Sequence, residues 1–125
     1  VKKESKHGSF VESLRKITNN LEDALGVALV GMDGIVVEEH RRDTLLDLSA
    51  LAAQFSAVMR KIEDVSESLH LGRAHELCVL GDKGLILIKK INPEYFLLLV
   101  IHSEGNFGKG RYLLRREVAR LEKEL

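Results

Sequence analysis

Apolar residues recur at helical spacing from Asp47 to Leu69, the longest regular pattern in the chain. Steps of three and four separate them, which predicts a broad apolar stripe on a long helix capped by Asp47: Leu48, Leu51, Phe55, Val58, Ile62, Val65 and Leu69, with Ala52 and Met59 beside them. About half a turn away lies a row of alanines: Ala50, Ala53 and Ala57. High helix propensity explains such a row, and so does a second packing surface that another backbone approaches closely. If both sides are used, this helix joins the domain to a partner.

Two further helices are predicted at the ends of the chain. A capping box begins at Ser9, so the first helix is expected to begin there, after a disordered lead-in over residues 1–8. The last helix follows a glycine-rich loop, residues 103–110, in which Asn106 is a candidate cap. A single domain over residues 9–125 is therefore expected.

Five short apolar segments, each bounded by turn-forming residues, are predicted as β-strands: 26–32, 35–39, 75–80, 85–91 and 95–102. Asp33-Gly34 predicts a two-residue type I′ turn between the first two strands. Short turns make neighbouring strands antiparallel, and near-continuous apolarity predicts a sheet covered on both faces. The element order α-β-β-α-β-β-β-α therefore predicts an α+β fold, a three-layer α/β/α sandwich around one five-stranded antiparallel sheet.

Composition narrows the class of protein. The 125 residues carry 19 basic and 19 acidic side chains, so the net charge implies no polyelectrolyte partner. No apolar run approaches the ~20 residues of a membrane helix, and no signal peptide is visible, so we expect a cytoplasmic protein without membrane insertion. Cys78 is the only cysteine. It cannot form an internal disulfide, and we expect it to be buried in the domain.

Signals for catalytic or ligand sites are weak. The segment from Gly105 to Gly110 departs from a phosphate-binding loop, because its glycine spacing is wrong and Gly110 stands where Ser or Thr would hold magnesium. His75 and Cys78 would point to opposite faces of a strand, which does not suit chelation of a metal. Basic residues occur as isolated pairs and aromatic residues are few. We therefore predict no metal, no cofactor, no nucleic-acid binding and no enzymatic activity.

The joint order and spacing of the elements resemble the roadblock/dynein light chain family over residues 9–125. The resemblance rests on the strand at 26–30 leading into 33–36, the alanine-rich helix, the strand at 95–100 and the segment 106–111. It implies a roadblock fold, related to that of profilin, and a homodimer or heterodimer. In such dimers the third strands pair edge to edge into a continuous sheet, and the long second helices lie side by side across the two-fold axis.

The resemblance also implies where partners would bind. It places the dimer strand at His75, Glu76, Leu77, Cys78, Val79 and Leu80, and the second dimer contact on the long helix, where the alanine face lets the two helices approach. We predict the partner-binding residues to be Ala50, Ala53, Ala57, Arg60, Lys61 and Asp64, with Arg41 and Arg42 flanking them. Family members regulate or scaffold Ras-like small GTPases or serve as dynein light chains, and the bacterial gliding-type activators reshape the GTPase's own site. We therefore expect a homodimeric regulator of a Ras-like GTPase. A small-molecule sensory domain with an apolar cavity, or a dynein-light-chain-type adaptor, is the alternative.

Overall fold

Three helices and five strands make up the computed structural model, which describes residues 2–125, with side chains described for residues 8–125. In chain order they are α1 (Lys2–Asn19), β1 (Ala24–Gly31), β2 (Val36–Arg41), α2 (Leu48–Ser68), β3 (Glu76–Leu80), β4 (Leu85–Asn92), β5 (Tyr95–Ile101) and α3 (Phe107–Leu121). The strands form one sheet in the order β2-β1-β5-β4-β3, and every neighbouring pair is antiparallel. The predicted element order and fold class are confirmed.

Two apolar cores cover the two faces of the sheet. One core joins α1 and α3 to the sheet and includes Leu14, Leu99 and Leu114, while the other joins α2 to the opposite face and includes Met59 and Leu98. Successive residues of β5 thus alternate between the two cores, which explains why this central strand is apolar at almost every position. None of the helices in the described chain combines the length and the apolar character that crossing a bilayer requires.

The two outer strands, β2 and β3, leave the sheet with two open edges. An edge strand presents unpaired backbone N–H and C=O groups that another strand can pair with. On β2, the Glu38 carboxylate accepts a hydrogen bond from the Glu39 N–H at 3.3 Å, and the strand carries several charges. On β3, Cys78, Val79 and Leu80 are exposed. The β3 edge is therefore the more apolar of the two.

The first helix differs from its prediction. Its bounds are Lys2–Asn19, so Ser9 lies inside the helix and the predicted capping box at Ser9 is wrong. A capping motif is a local signal, and residues that precede it can still continue a helix when their own propensity is helical. The expected lead-in over residues 1–8 lies almost wholly outside the residues with described side chains. Its separation from the rest of the domain stays a prediction.

The turn between β1 and β2 also differs from its prediction. Of the Asp33-Gly34 pair, only Gly34 has a positive φ, at +90°. The Gly34 N–H donates to the Gly31 carbonyl, and the Gly31 N–H donates to the Ile35 carbonyl. The loop therefore holds three residues and ends on a left-handed glycine, which replaces the expected two-residue type I′ turn.

Candidate functional site

Helix α2 begins at the residue that the sequence predicted. Asp47 lies at the N-cap, and its carboxylate accepts a hydrogen bond from the Ala50 N–H at 3.0 Å. This bond satisfies one of the backbone N–H groups that have no partner within the first turn of a helix. The cap fixes where the helix starts, and the face that the helix presents to the sheet is decided by tertiary packing.

The buried line of α2 is narrower than the predicted stripe. Four residues are buried against the sheet: Leu48, Ala52, Ser56 and Met59. Val58, Val65 and Leu69, which were predicted to face the protein's own sheet, are 40%, 45% and 61% exposed. That part of the prediction is wrong because a single helix lying on a sheet buries only the residues along its contact line. Val58, Val65 and Leu69 are called the α2 flank below.

The α2 flank lies on the side of the helix that faces away from the β1–β2 hairpin. On the hairpin side, the Arg60 guanidinium donates to the Met32 carbonyl. The flank lies more than a third of a turn from Arg60, on the side of Leu51 and Phe55. Those two residues pack on the same core as Leu77 of β3. Because β2 and β3 are the two opposite edges of the sheet, the side of α2 that faces away from the β1–β2 hairpin is the side toward β3. We call the flank and the exposed residues of β3 together the open edge.

The three alanines of the predicted partner surface are exposed. Ala53 already has a neighbour within its own chain, because a β-carbon at position 34 would lie 3.4 Å from the Ala53 Cα. The β1–β2 turn therefore packs on the backbone of α2 at Ala53, while the side chains of all three alanines remain open to solvent. Lys61 and Asp64 are exposed beside this row, whereas Arg60 is already engaged.

The two arginines predicted to flank the partner surface have structural roles. The Arg42 guanidinium donates to the carbonyls of Leu21 and Glu22 at 2.7 and 2.8 Å, just beyond the end of α1, where a cation also offsets the helix dipole. The Arg41 guanidinium donates to the Leu46 carbonyl at 3.1 Å in the loop before α2. Both side chains therefore stabilise chain connections, which the charged sequence alone did not reveal.

An ion cluster that sequence reasoning missed ties β3 to α3. Arg115 donates from Nε and a terminal nitrogen to the two carboxylate oxygens of Glu76 at 3.0 and 2.8 Å, and Arg111 does the same at 3.4 and 3.1 Å. The Arg115 hydrogen bonds, and then those of Arg111, lower the pKa of Glu76 from 4.5 to about 2, although burial alone would raise it. The contact with Glu76 also raises the pKa of Arg115. Two arginines one turn apart were legible in the sequence, but their carboxylate lies on a distant strand.

The other residues of the predicted dimer strand lie at or near the surface of the protein. His75 is exposed just before β3, and Leu77 is half-buried. Cys78 is exposed, so its predicted burial is wrong, because an edge strand has no neighbour on its outer side. In the part of the chain with described side chains, no three His, Cys, Asp or Glu residues are grouped in a way that could hold a metal.

The glycine-rich loop before α3 serves the packing of the core. Asn106 caps α3, since its side-chain oxygen accepts from the Lys109 N–H at 3.0 Å, which confirms the predicted cap. Gly110 lies against the core, where a β-carbon would approach Ile101 Cδ1 to 2.6 Å and Leu87 Cδ1 to 3.2 Å. The absence of a side chain at Gly110 therefore lets the first turn of α3 pack directly on Ile101.

A cleft of about 680 Å³ lies beyond the C-terminal end of α2. Most of its lining is charged, namely Glu63, Glu67, Arg73 and Lys90, and the rest is His70, Gly72 and Pro93. Lys90 forms an ion pair with Glu63, and burial lowers the pKa of Lys90. This lining differs from the apolar cavity that a small-molecule sensor was expected to show.

Comparison with known proteins identifies the family. MglC from Myxococcus xanthus is 34% identical to this chain over 94% of it and 99% of MglC, with a TM-score of 0.67. The chain belongs to the roadblock/LC7 family. A roadblock/LC7 domain from Streptomyces avermitilis is 15% identical over 90% of this chain and 94% of its own, with a TM-score of 0.81. Gliding protein MglB from Thermus thermophilus is 18% identical over 96% of this chain and 93% of its own, with a TM-score of 0.84.

No family model matches this roadblock chain, and no curated protein matches it either. The two structures below 20% identity therefore support the fold, while MglC supports membership of the family. The resemblance stated from the sequence is therefore confirmed for the fold and for the family.

Proposed function

We propose that this roadblock domain is a non-catalytic homodimer that binds a Ras-like small GTPase and modulates its nucleotide state or its GTP hydrolysis. The observation that carries the proposal is the open edge, which combines the exposed α2 flank with the outer edge of β3, where no strand of the described chain pairs. Such an edge is a liability in a monomer and is removed when a second strand pairs with it.

The open edge fits a second copy of the chain. Around a two-fold axis, β3 of one protomer pairs antiparallel with β3 of the other, and the same surface serves both partners. Pairing buries exposed apolar side chains, of which Leu80 is 66% exposed and Leu69 is 61% exposed. Each square ångström of apolar surface removed from water contributes about 25 cal/mol, so these residues favour association.

The GTPase would bind across the α2 helices of the dimer. Ala50 and Ala57 allow close approach there, and Lys61 and Asp64 are exposed and available for polar contacts. Two of the relatives with solved structures bear the names MglC and gliding protein MglB, which supports the gliding-type branch of the family. A regulator of this type contributes surface to its partner, in agreement with the mostly structural roles found for the described arginines.

The dimer is tested first, by light scattering coupled to gel filtration on the purified chain. A mass of twice 14.0 kDa is expected, and a monomer at micromolar concentration would contradict the dimer.

The GTPase partner is tested with Ras-like GTPases from the same organism, each loaded with GDP or with a non-hydrolysable GTP analogue. Immobilised chain should retain one of them in one nucleotide state, and Lys61→Glu should weaken retention while Lys83→Glu, in the β3–β4 turn, should not. The proposal fails if none of the GTPases binds in either state. Single-turnover GTP hydrolysis then separates an activator, which raises the rate, from a scaffold, which leaves it unchanged.

A further inference from the structure

Helix α3 presents a basic face to solvent on the side of the sheet opposite α2. The helix contains five Lys or Arg residues, Lys109, Arg111, Arg115, Arg116 and Arg120, and a single acidic residue, Glu117. The side chain of Glu117 has no exposed surface. The zero net charge of the chain therefore conceals a local excess of positive charge at the surface of this helix.

Two carboxylates beneath this face hold four arginines in pairs. Arg111 and Arg115 both bind Glu76, whose side chain is 19% exposed. Arg116 Nε donates to Glu117 at 3.0 Å, and a terminal nitrogen of Arg120 lies 3.6 Å from the same carboxylate. These contacts restrict side chains that would otherwise lose rotamer entropy on binding a ligand. The four guanidinium groups are therefore preorganised.

The held arginines keep donors for a ligand. A guanidinium has five N–H groups, and Glu76 occupies two of them on each of Arg111 and Arg115. The side chains of the four arginines are 38–52% exposed, so the remaining N–H groups reach solvent. Tyr112, exposed at 61%, lies between the two pairs, with the Arg116 guanidinium 6.0 Å from its ring centre. The face as a whole is broad, cationic and rich in N–H donors.

The chemistry of this face favours carboxylates on a protein over a bilayer or a nucleic acid. The two groups that it already binds are carboxylates, each shared by two arginines. A bilayer would need apolar anchors, but the large apolar residues of α3, namely Leu113, Leu114, Val118 and Leu121, are buried in the core. Single-stranded nucleic acid would need several stacking aromatics, and Tyr112 is a single exposed aromatic covered by Arg116.

We propose that the outer face of α3 docks an acidic, Glu- or Asp-rich segment of a partner protein, with Arg111, Arg115, Arg116 and Arg120 as its binding residues. The partner's carboxylates would compete with Glu76 for Arg111 and Arg115. Because α3 and α2 cover opposite faces of the sheet, this partner and a protein bound at α2 can be held at the same time. The inference does not depend on the identity of the α2 partner.

The test measures fluorescence anisotropy of a labelled Glu/Ala peptide titrated with the full chain, beside a Lys/Ala peptide of the same length. We expect the Glu/Ala peptide to bind, with an affinity that falls as salt is added. We expect the Lys/Ala peptide not to bind. Replacing Arg116→Gln and Arg120→Gln together removes two cationic donors and should weaken binding by at least about tenfold. Glu76→Gln should strengthen binding, because removing a competing negative charge and releasing donors on Arg111 and Arg115 outweigh the loss of their ordering.

Lys83→Gln is the matched control, since it removes an exposed positive charge far along the chain from α3. The proposal would be overturned if Lys83→Gln lowered the affinity as much, for each charge removed, as the double arginine variant does. Net charge alone would then explain binding. Tighter binding to phosphatidylserine vesicles or to a DNA duplex than to the Glu/Ala peptide would also overturn it. The double variant Arg111→Lys and Arg115→Lys keeps the positive charge but removes the planar guanidinium groups that bind a carboxylate through two N–H groups. It gives a second readout if the Arg116→Gln and Arg120→Gln variant does not fold.

Discussion

Gly34 in the β1–β2 turn lies against Ala53 of α2, so that a β-carbon on Gly34 would come within 3.4 Å of the Ala53 Cα and 3.0 Å of the Ser56 hydroxyl oxygen. The turn packs on the backbone of the helix at this point, so residue 34 must lack a side chain both for its positive φ and for this contact. The Ala53 side chain itself is exposed, so the hairpin does not account for a small residue at that position.

The first prediction separates backbone strain from this contact. Gly34 and Gly72 have similar positive φ values, +90° and +82°, but of the two only Gly34 would bring an added β-carbon within 4 Å of another residue. Gly72→Ala should cost about 1–2 kcal/mol of unfolding free energy from strain alone. Gly34→Ala should cost about 1 kcal/mol more, because its methyl group is overpacked against α2. Urea unfolding of the two variants measures the difference, and equal losses would show that the contact is unimportant.

The second prediction locates the dimer seam on α2. Ala57→Arg places a bulky charge in the alanine row, and Val65→Glu places one in the α2 flank, where Val65 is 45% exposed. If a surface is buried between protomers, an unpaired charge placed in it should raise the dissociation constant of the dimer by at least about tenfold. Sedimentation velocity over a range of concentrations measures the dissociation constant. We expect Val65→Glu to have the larger effect, and an unchanged assembly for both variants would exclude α2 from the seam.

The third prediction concerns acid stability through Glu76. Its pKa is about 2 in the folded protein and 4.5 ordinarily, so the unfolded chain binds more protons between these values. The stabilisation is therefore complete above about pH 4.5 and is lost as the pH falls toward 2. Glu76→Gln should be less stable than the unaltered chain near neutral pH, and this difference should shrink steadily on acidification. Urea unfolding at several pH values tests it, and a difference that does not vary with pH would contradict the ion cluster.

The fourth prediction compares two glycines in the first turn of α3. Gly110→Ala should destabilise the protein, because the new methyl group would meet Ile101 Cδ1 at 2.6 Å and Leu87 Cδ1 at 3.2 Å. Gly108→Ala faces open space apart from Asn106 Oδ1 at 3.8 Å, so it should be neutral or stabilise the helix by up to about 1 kcal/mol. Thermal melting of the pair checks the sign of each change. A stabilising Gly110→Ala would contradict the packing described for this loop.

Local patterns sufficed for much of the architecture. Asp47 and Asn106 were recognisable as caps because a cap depends on a side chain and a backbone N–H three residues away. The apolar run of β5 signalled a central strand because both of its faces are covered. The element order followed from these signals, and with it the roadblock fold.

Which surfaces remain free depends on how the elements pack in space. The exposure of Val58, Val65 and Leu69 depends on how far the sheet extends beneath α2. The ion cluster joins Glu76 to two arginines that follow it by 35 and 39 positions in the sequence. Hydrophobic periodicity and capping act within a few residues, so the helices, strands and layers could be predicted from local patterns, apart from the start of α1 and the type of the β1–β2 turn. The open edge and the arginine face of α3 were decided by packing, because burial and ion pairing depend on distances in space that spacing along the chain does not encode.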